Sequence, residues 1–147
     1  MSQPPEQSTT EINKHVVKEF IQAMGRSDGK TASACLAEDA FTLAKGFGQF
    51  AGVREYDTIV GTIDAFNTLL PTGLRPEFVS FTAEGDRVVV EFEGNAETCD
   101  GKPYHNQYCM VFTLAGGKIK QVNEYFCTKT ADEVLWPLVE AMSSQIP

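Results

Sequence analysis

Apolar residues recur at every third or fourth position in the first part of the chain, which is the spacing of an amphipathic helix. Ser8 and Glu11 come just before this pattern with the spacing of a capping box. A first helix is therefore predicted over about 10–25. The turn residues Ser27-Asp28-Gly29 end it, and a short second helix is predicted around 29–37.

One strand and a third helix are predicted in the middle of the chain. Phe41–Ala44 is typical of a strand, and Lys45–Gly52, which is rich in Gly and Phe, indicates either a loop or a bulged strand. Apolar residues at helical spacing then predict a helix over about 57–70. Asp57 is the expected N-cap, and Pro71 ends the helix because proline lacks the backbone N–H that a helix needs.

From residue 76 onward, apolar and polar residues alternate, which is typical of strands. Four strands separated by turns that contain glycine are predicted, at Glu77–Ala83, Arg87–Thr98, Tyr104–Leu114 and Lys118–Thr128. Thr130 and Glu133 have capping-box spacing, so a short final helix is predicted to about residue 142, with a bend at Pro137. Helices followed by an antiparallel meander indicate an α+β fold.

Length and charge restrict the possible functions. The chain has 147 residues, 42% of them hydrophobic, which suits one domain over 9–147 after a flexible polar tail at 1–8. The formal net charge of −8 argues against binding to nucleic acid or to an anionic membrane, because both require clustered Lys and Arg. No apolar run is long enough to span a bilayer and the N-terminus lacks a signal-peptide core, so a cytoplasmic location is expected.

The cysteines and histidines do not suggest a metal centre. The four cysteines include no C-x-x-C pair, and the two histidines are not clustered with other ligands. The glycine-rich phosphate-binding motifs and the serine nucleophile motif are also missing, so no cofactor is expected. Any chemistry must therefore come from carboxylates, hydroxyls and amides.

Three stretches of the sequence carry a resemblance to a known family. They are VVKEFIQAMGRSDGKTASACLAEDA (16–40), YDTIVGTIDAFNTLL (56–70) and GKPYHNQYCMVFTLAGGKIKQVNEYF (101–126). These stretches resemble the nuclear transport factor 2-like superfamily and in particular its SnoaL-like branch. The resemblance implies a cone-shaped fold, in which a strongly curved mixed or antiparallel sheet wraps around three N-terminal helices, with a short C-terminal helix. It also implies an internal pocket for a small hydrophobic molecule. The other face of the sheet carries apolar residues, so a homodimer is expected.

The catalytic patterns of this family are only partly present. By resemblance to ketosteroid isomerases, the base would fall at Ala44, which leaves Tyr108 as a remaining hydrogen-bond donor. In epoxide hydrolases of this fold, an arginine and two acids on the strands would correspond to Glu91, Glu93 and Glu124. The isomerase base is absent at Ala44 and the hydrolase arginine is replaced by Glu91, so the resemblance argues against both of these mechanisms. SnoaL-like cyclases use a carboxylate base, a role that Glu124 could take.

Two orientations of the strand Arg87–Thr98 stay open. Its alternation allows the glutamates to face water while the alternate apolar residues face the core. The resemblance instead implies that Glu91 and Glu93 share an apolar pocket with Glu124, where burial and mutual repulsion would raise their pKa values.

The turn at Gly116-Gly117 determines which residue lies beside Glu124 on the next strand. A two-residue turn would place Cys109 opposite Glu124, whereas a three-residue loop would place Tyr108 there. The hairpin resembles the three-residue type of the family, and that register is adopted.

The predicted function is cofactor-independent acid–base chemistry, an isomerisation, cyclisation or dehydration, on a small hydrophobic oxygenated molecule. Glu124 is the expected base, Glu93 a second acid, and Tyr108 the group that orients a carbonyl together with Asn106. The residues expected to bind the substrate are Asn106, Glu91, Phe126, Phe66, Leu70, Phe20, Ile21, Met24 and Thr42. The alternative is a non-catalytic domain of the same fold that binds a small molecule or serves in assembly.

Overall fold

Helices and strands follow one another in the predicted order. A computed structural model describes residues 8–143. The helices are α1 (Thr9–Gly25), α2 (Gly29–Cys35), α3 (Tyr56–Leu69), α4 (Thr128–Val134) and α5 (Trp136–Ser143). The strands are β1 (Leu36–Ala44), β2 (Gly52–Glu55), β3 (Pro76–Glu84), β4 (Arg87–Glu97), β5 (Pro103–Ala115) and β6 (Lys118–Phe126). No described helix combines the length and hydropathy needed to cross a membrane.

The six strands form one open, curved sheet in the order β2-β1-β6-β5-β4-β3. Strands β3 to β6 make the predicted antiparallel meander. β1 pairs in parallel with β6, and the short β2 pairs antiparallel with β1, so the sheet is mixed. The predicted α+β fold with a curved sheet and N-terminal helices is confirmed. The expected single C-terminal helix is divided into α4 and α5.

The core lies between α1 and the inner face of the sheet. Val17 and Ile21 of α1 are fully buried, as are Val88 and Val90 of β4. The α1 helix carries its apolar residues on one face, so it covers the sheet with them and leaves its polar residues in water.

The helix ends agree only in part with the predicted caps. Ser8 caps α1 as expected, and its Oγ accepts a hydrogen bond from the Glu11 N–H at 3.2 Å. Asp57 is not the cap of α3, because that helix starts one residue earlier and its N-cap is Glu55. The predicted Thr130 capping box is also wrong, since the N-cap of α4 is Cys127. The predicted tail, residues 1–8, lies outside the described residues except for Ser8.

The β5–β6 hairpin has a shorter turn than the adopted register requires. Ala115 pairs with Lys118, so Gly116-Gly117 is a two-residue turn and the predicted three-residue loop is wrong. Both glycines have positive φ angles, 57° and 76°, which a type I′ turn requires. A bulge then follows at Lys120, which has no partner on β5.

The bulge changes which residues of β6 face inward. With the two-residue turn alone, Cys109 would lie opposite Glu124. The extra residue shifts the pairing by one, so Met110 lies opposite Glu124 and Tyr108 opposite Phe126. Tyr108 and Glu124 therefore share the inner face, but they are diagonal neighbours rather than direct partners.

The glutamates of β4 point away from the core. The buried side chains of this strand include Val88, Val90 and Phe92, at 0%, 0% and 1% exposure. Since side chains alternate along a strand, Glu91 and Glu93 lie on the outer face. There Ser80 Oγ donates to Glu91 Oε2 at 2.8 Å, and Gln107 Nε2 donates to Glu93 Oε1 at 3.2 Å. The interpretation that these glutamates share a pocket with Glu124 is therefore wrong.

Candidate functional site

A cavity of about 610 Å³ lies between the inner face of the sheet and the helices. Its wall is mostly apolar, and includes Phe20, Met24, Ile63, Phe66, Trp136 and Val139. The polar side chains that line it are Thr42, Arg54, Thr58, Thr62, Tyr104, Tyr108 and Glu124. This volume and this mixture of many apolar and few polar groups are typical of small-molecule sites.

Glu124 is the one carboxylate among the described residues that line the cavity. Its backbone is fixed on both sides, because it pairs with Met110 on β5 and with Ala44 on β1. Burial raises the pKa of Glu124 above its ordinary value, while the positive charge of Arg54 and a hydrogen bond from Thr42 oppose the increase to a smaller extent. The carboxyl group is therefore suited to exchanging protons closer to neutrality than an exposed glutamate.

Arg54 is the one cation among the described residues that line the cavity. It lies on β2 directly opposite Thr42, so both side chains share the inner face. Its Nη2 donates to the backbone oxygen of Phe50 at 2.9 Å. The ion pairs formed within residues 8–143 are all at the surface and include neither Arg54 nor Glu124. The two opposite charges thus line one cavity without forming an ion pair.

A chain of hydrogen bonds leads from the backbone to Tyr108. Asn106 Oδ1 accepts from the backbone N–H groups of Gln107, at 2.7 Å, and Cys127, at 3.2 Å, which fixes the orientation of the amide. Its Nδ2 then donates to the Cys127 carbonyl at 3.1 Å and to Tyr104 Oη at 2.8 Å. The hydroxyl oxygens of Tyr104 and Tyr108 lie 2.8 Å apart.

Either hydroxyl can donate in the hydrogen bond between Tyr104 and Tyr108. Tyr104 is only 1% exposed, and its oxygen already accepts from Asn106. When Tyr104 gives its proton to Tyr108, no buried donor is left without an acceptor, which would cost about 1–3 kcal/mol. In that direction Tyr108 accepts from Tyr104, and its own O–H can donate to a ligand in the cavity.

Tyr108 is held in place and stays protonated. Its ring stacks on Phe92 with the ring centroids 4.9 Å apart, and packs against Phe126 at 5.8 Å. Burial raises the pKa of Tyr104 and raises that of Tyr108 more strongly. Both phenols are therefore neutral hydrogen-bond donors near neutral pH.

Seven of the predicted site residues lie around this one cavity: Phe20, Met24, Thr42, Phe66, Tyr108, Glu124 and Phe126. The roles of these residues in binding or catalysis stay predictions.

The other five predicted site residues do not line the cavity. Ile21 and Leu70 are core residues, 0% and 4% exposed, so their placement in the pocket wall is wrong. Asn106 lies behind the wall and reaches Tyr108 only through Tyr104. Glu91 and Glu93 lie on the outer face of the sheet, as shown by the burial of the apolar residues that alternate with them.

Sequence reasoning missed Arg54, Tyr104 and an aromatic pair in the cavity wall. The rings of Phe50 and Trp136 meet edge to face at 5.3 Å and connect the β1–β2 loop to α5. A signal for Arg54 was present, because the apolar Val53 and the polar Arg54 follow Gly52, and such an alternation of apolar and polar residues is compatible with a short strand. Tyr104 could have been found from its even spacing to Tyr108, which places both on one face.

The arrangement permits proton transfer next to an oxygen atom. Glu124 and Tyr108 are diagonal neighbours on adjacent strands, with their Cα atoms roughly 7 Å apart. A ligand between them can therefore meet a carboxylate on one side and a hydroxyl donor on the other. Within residues 8–143, no three His, Cys, Asp or Glu side chains come together as metal ligands would.

The fold and its internal cavity define a protein of the nuclear transport factor 2-like class. The model of the SnoaL-like domain matches residues 17–122. The chain belongs to this SnoaL-like domain family. Among curated proteins, no significant match to the sequence was found.

Solved structures of this fold cover most of the chain at low sequence identity. An NTF2-like protein from Burkholderia xenovorans LB400 is 22% identical, with a TM-score of 0.70 over 87% of this chain and 98% of that one. Bal32a, from a soil-derived mobile gene cassette, is 22% identical, with a TM-score of 0.76 over 86% and 98%. TerC, co-crystallised with polyporic acid, is 20% identical, with a TM-score of 0.71 over 84% and 97%. At these identities the similarity shows the fold alone.

Proposed function

We propose that the protein binds a small, largely apolar, oxygenated molecule in the cavity and moves a proton on it without a cofactor. The observation that carries this proposal is that Glu124, with a raised pKa, lines the same apolar cavity as the hydroxyl group of Tyr108. An enzyme that works by acid–base catalysis needs such a group to titrate near its working pH.

The proposed reaction starts with a ligand carbonyl that accepts a hydrogen bond from Tyr108. The Glu124 carboxylate removes a proton from the carbon next to this carbonyl, and the electron pair moves onto the oxygen as an enolate. Tyr108 stabilises the negative oxygen, because its O–H group is already oriented by Tyr104. Where the ligand has a double bond between its β and γ carbons, the enolate is a conjugated dienolate with electron density at the γ-carbon. The protonated Glu124 then returns the proton to that carbon, the double bond moves to the α,β position, and the carboxylate is restored.

A ligand-binding role also agrees with the one structural neighbour described above with a small molecule, TerC, which was co-crystallised with polyporic acid. The apolar wall of the cavity favours a ligand with an apolar body, because its burial releases water from both surfaces. The volume of about 610 Å³ suits a molecule larger than a few heavy atoms.

The proposal can be tested by proton exchange. A panel of cyclic and aromatic ketones is incubated with the protein in D₂O, and deuterium incorporation next to the carbonyl is followed by NMR. We expect at least one ketone to exchange faster with the wild-type protein, and Glu124→Gln to abolish this increase while affinity changes by a few-fold at most. Glu93→Gln is the matched control, because it removes an equal charge from the outer face.

The alternative is a binding protein without catalysis. The outward orientation of Glu91 and Glu93 favours it, because the cavity then has one carboxylate rather than the group of three that the resemblance implies. Binding of ketones without any catalysed exchange would support this alternative and contradict the enzyme. If no ketone binds, both proposals fail.

We further propose that the protein is a cytoplasmic homodimer that uses the outer face of the sheet. Val79 and Tyr125 are 63% and 44% exposed on the outer side of the sheet, and a monomer would leave these apolar surfaces in water. Native mass spectrometry of the wild type and of Tyr125→Glu tests the dimer. A monomeric wild type contradicts it.

A further inference from the structure

We propose that Arg54 determines the ligand specificity of the cavity and selects molecules that carry an anionic oxygen, such as a carboxylate or a phenolate, on an apolar body. This inference rests on the proposed function in one respect, namely that the cavity is a ligand site. It adds a chemical requirement on the ligand that Glu124 and Tyr108 do not impose.

Arg54 and Glu124 lie on two strands that are separated by β1. β2 and β6 flank β1, so their backbones are roughly 10 Å apart, at about 4.8 Å per strand spacing. Between them, β1 contributes Thr42 and Ala44, which are both small. The two charged side chains therefore stand on either side of a shallow part of the wall, where a ligand group can fit.

Arg54 has free hydrogen-bonding capacity. A guanidinium has five N–H donors. Within the described part of the chain, Arg54 makes one hydrogen bond, to the Phe50 carbonyl, and no ion pair. The Phe50 bond holds the side chain in position, and the remaining donors can bind both oxygens of a carboxylate at once.

Glu124 does not act as the counterion of Arg54. If the two formed a tight pair, the attraction would dominate and lower the pKa of Glu124. Instead burial dominates and raises it, in agreement with the lack of an ion pair between the two side chains. Arg54 thus faces a largely apolar cavity, and an anionic ligand oxygen would supply the missing negative charge.

The other titratable groups around the cavity do not oppose this. They are Tyr104 and Tyr108, whose raised pKa values keep them neutral. The side chains that α1, α3, α4 and α5 contribute to the wall carry no charge. An anion that binds Arg54 is therefore repelled by Glu124 alone, and only when Glu124 is ionised.

The test compares two probes that differ in charge, 2-naphthoate and 2-naphthamide, by titration calorimetry at pH 6. We expect the wild-type protein to bind 2-naphthoate at least about 10-fold more tightly, since hydrogen bonds to a charged group contribute about 1.5–3 kcal/mol. Arg54→Met keeps the length of the side chain and removes its charge, so it should bind both probes equally. Arg54→Lys should keep part of the preference for the acid.

Arg75→Met is the matched control, because Arg75 is outside the cavity lining and donates to the Asn95 carbonyl at 2.8 Å. It should keep the full preference for 2-naphthoate. Circular dichroism of each variant verifies that the variant is folded. If the wild type binds both probes equally, or prefers the amide, the role of Arg54 is wrong but the cavity remains a ligand site. If it binds neither probe, the ligand-site proposal fails first.

Discussion

The hydroxyl oxygens of Tyr104 and Tyr108 lie 2.8 Å apart on one face of β5, so one hydroxyl donates a hydrogen bond to the other. This hydrogen bond makes the two tyrosines interdependent. Tyr108 holds its proton toward the cavity only while Tyr104 donates to it. Tyr104 in turn has a satisfied buried hydroxyl only while Tyr108 accepts.

We therefore expect Tyr104→Phe and Tyr108→Phe to be strongly non-additive in stability. Groups in one hydrogen-bond network show interaction energies of about 0.5–3 kcal/mol, whereas independent sites add. The measurement is a double-mutant cycle by urea unfolding. Tyr104→Phe combined with Tyr125→Phe is the control, because Tyr125 is on the outer face and 44% exposed. Additive effects for the Tyr104–Tyr108 pair would contradict the interdependence of the two hydroxyl groups.

Asn106 is predicted to be a positioning residue on which the whole chain of hydrogen bonds depends. Asn106→Leu leaves the Cys127 N–H and the Tyr104 hydroxyl without their present partner. Of these two groups only the Tyr104 hydroxyl is buried, and a buried group left unpaired costs about 1–3 kcal/mol, so we expect a loss of at least about 1 kcal/mol in the free energy of unfolding.

The matched control for Asn106 is Asn123→Leu, since Asn123 bonds only the Gln121 side chain, at 2.9 Å, among the described residues. Its effect should stay within about 0.5 kcal/mol, as for most surface substitutions. Equal losses in the two variants would show that Asn106 has no special role.

Glu124→Gln is predicted to change how stability depends on pH. In the unfolded chain Glu124 titrates near about 4.3, whereas burial raises its pKa in the folded protein. Between these two values the folded state binds more protons, so the free energy of unfolding of the wild type falls as pH rises. Above the folded pKa the loss is complete and constant. Glutamine does not ionise, so the variant should gain stability relative to the wild type across this window.

Urea unfolding at a series of pH values from 4 to 9 measures this gain. Glu93→Gln is the control, because it removes the same charge from the outer face, where Gln107 donates to the carboxyl group. A difference between Glu124→Gln and the wild type that does not depend on pH would contradict a raised pKa of Glu124 in the folded protein.

The sequence predicted most of the fold because the local signals were strong. The helical spacing before residue 25 and the glycine turns between the late strands depend on neighbouring residues alone. The bulge at Lys120 has no such signal, since it depends on how β6 fits between β1 and β5. That one residue decides whether Glu124 faces the cavity, so the register could not be derived from the turn.

The candidate site was predictable only where it follows from the alternation of side chains between the two faces of a strand. Tyr108 and Glu124 were found through a resemblance. The two-residue turn alone would place them on opposite faces of the sheet, and the bulge in β6 shifts the pairing by one residue and returns them to the same face. Glu93 was misplaced because its strand allows two orientations, and the packing of Phe92 in the core selects one. Arg54 was missed because β2 has only four residues and a weak pattern.

Gly94 is predicted to be required for the position of Tyr108, because it has no side chain and leaves room for the tyrosine ring and for Leu74. A Cβ atom at this position would lie 2.5 Å from Leu74 Cδ1 and 3.2 Å from Tyr108 Cε2. Gly94→Ala must therefore push Leu74 out of the core or displace the tyrosine ring, and we expect a loss of about 1–3 kcal/mol, as for other overpacked sites. Urea unfolding measures the loss, and near-ultraviolet circular dichroism detects a moved aromatic ring.

Gly61 provides the opposite case and serves as the control for Gly94. It lies inside α3, and a Cβ atom there would have no atom within 4 Å. Alanine at a helix interior is more stable than glycine by about 0.5–1 kcal/mol, because glycine loses more backbone freedom on folding. Gly61→Ala should therefore stabilise the protein under the conditions in which Gly94→Ala destabilises it. If both variants gain stability, Leu74 moves aside at no cost, and Gly94 is not needed to keep Tyr108 in position.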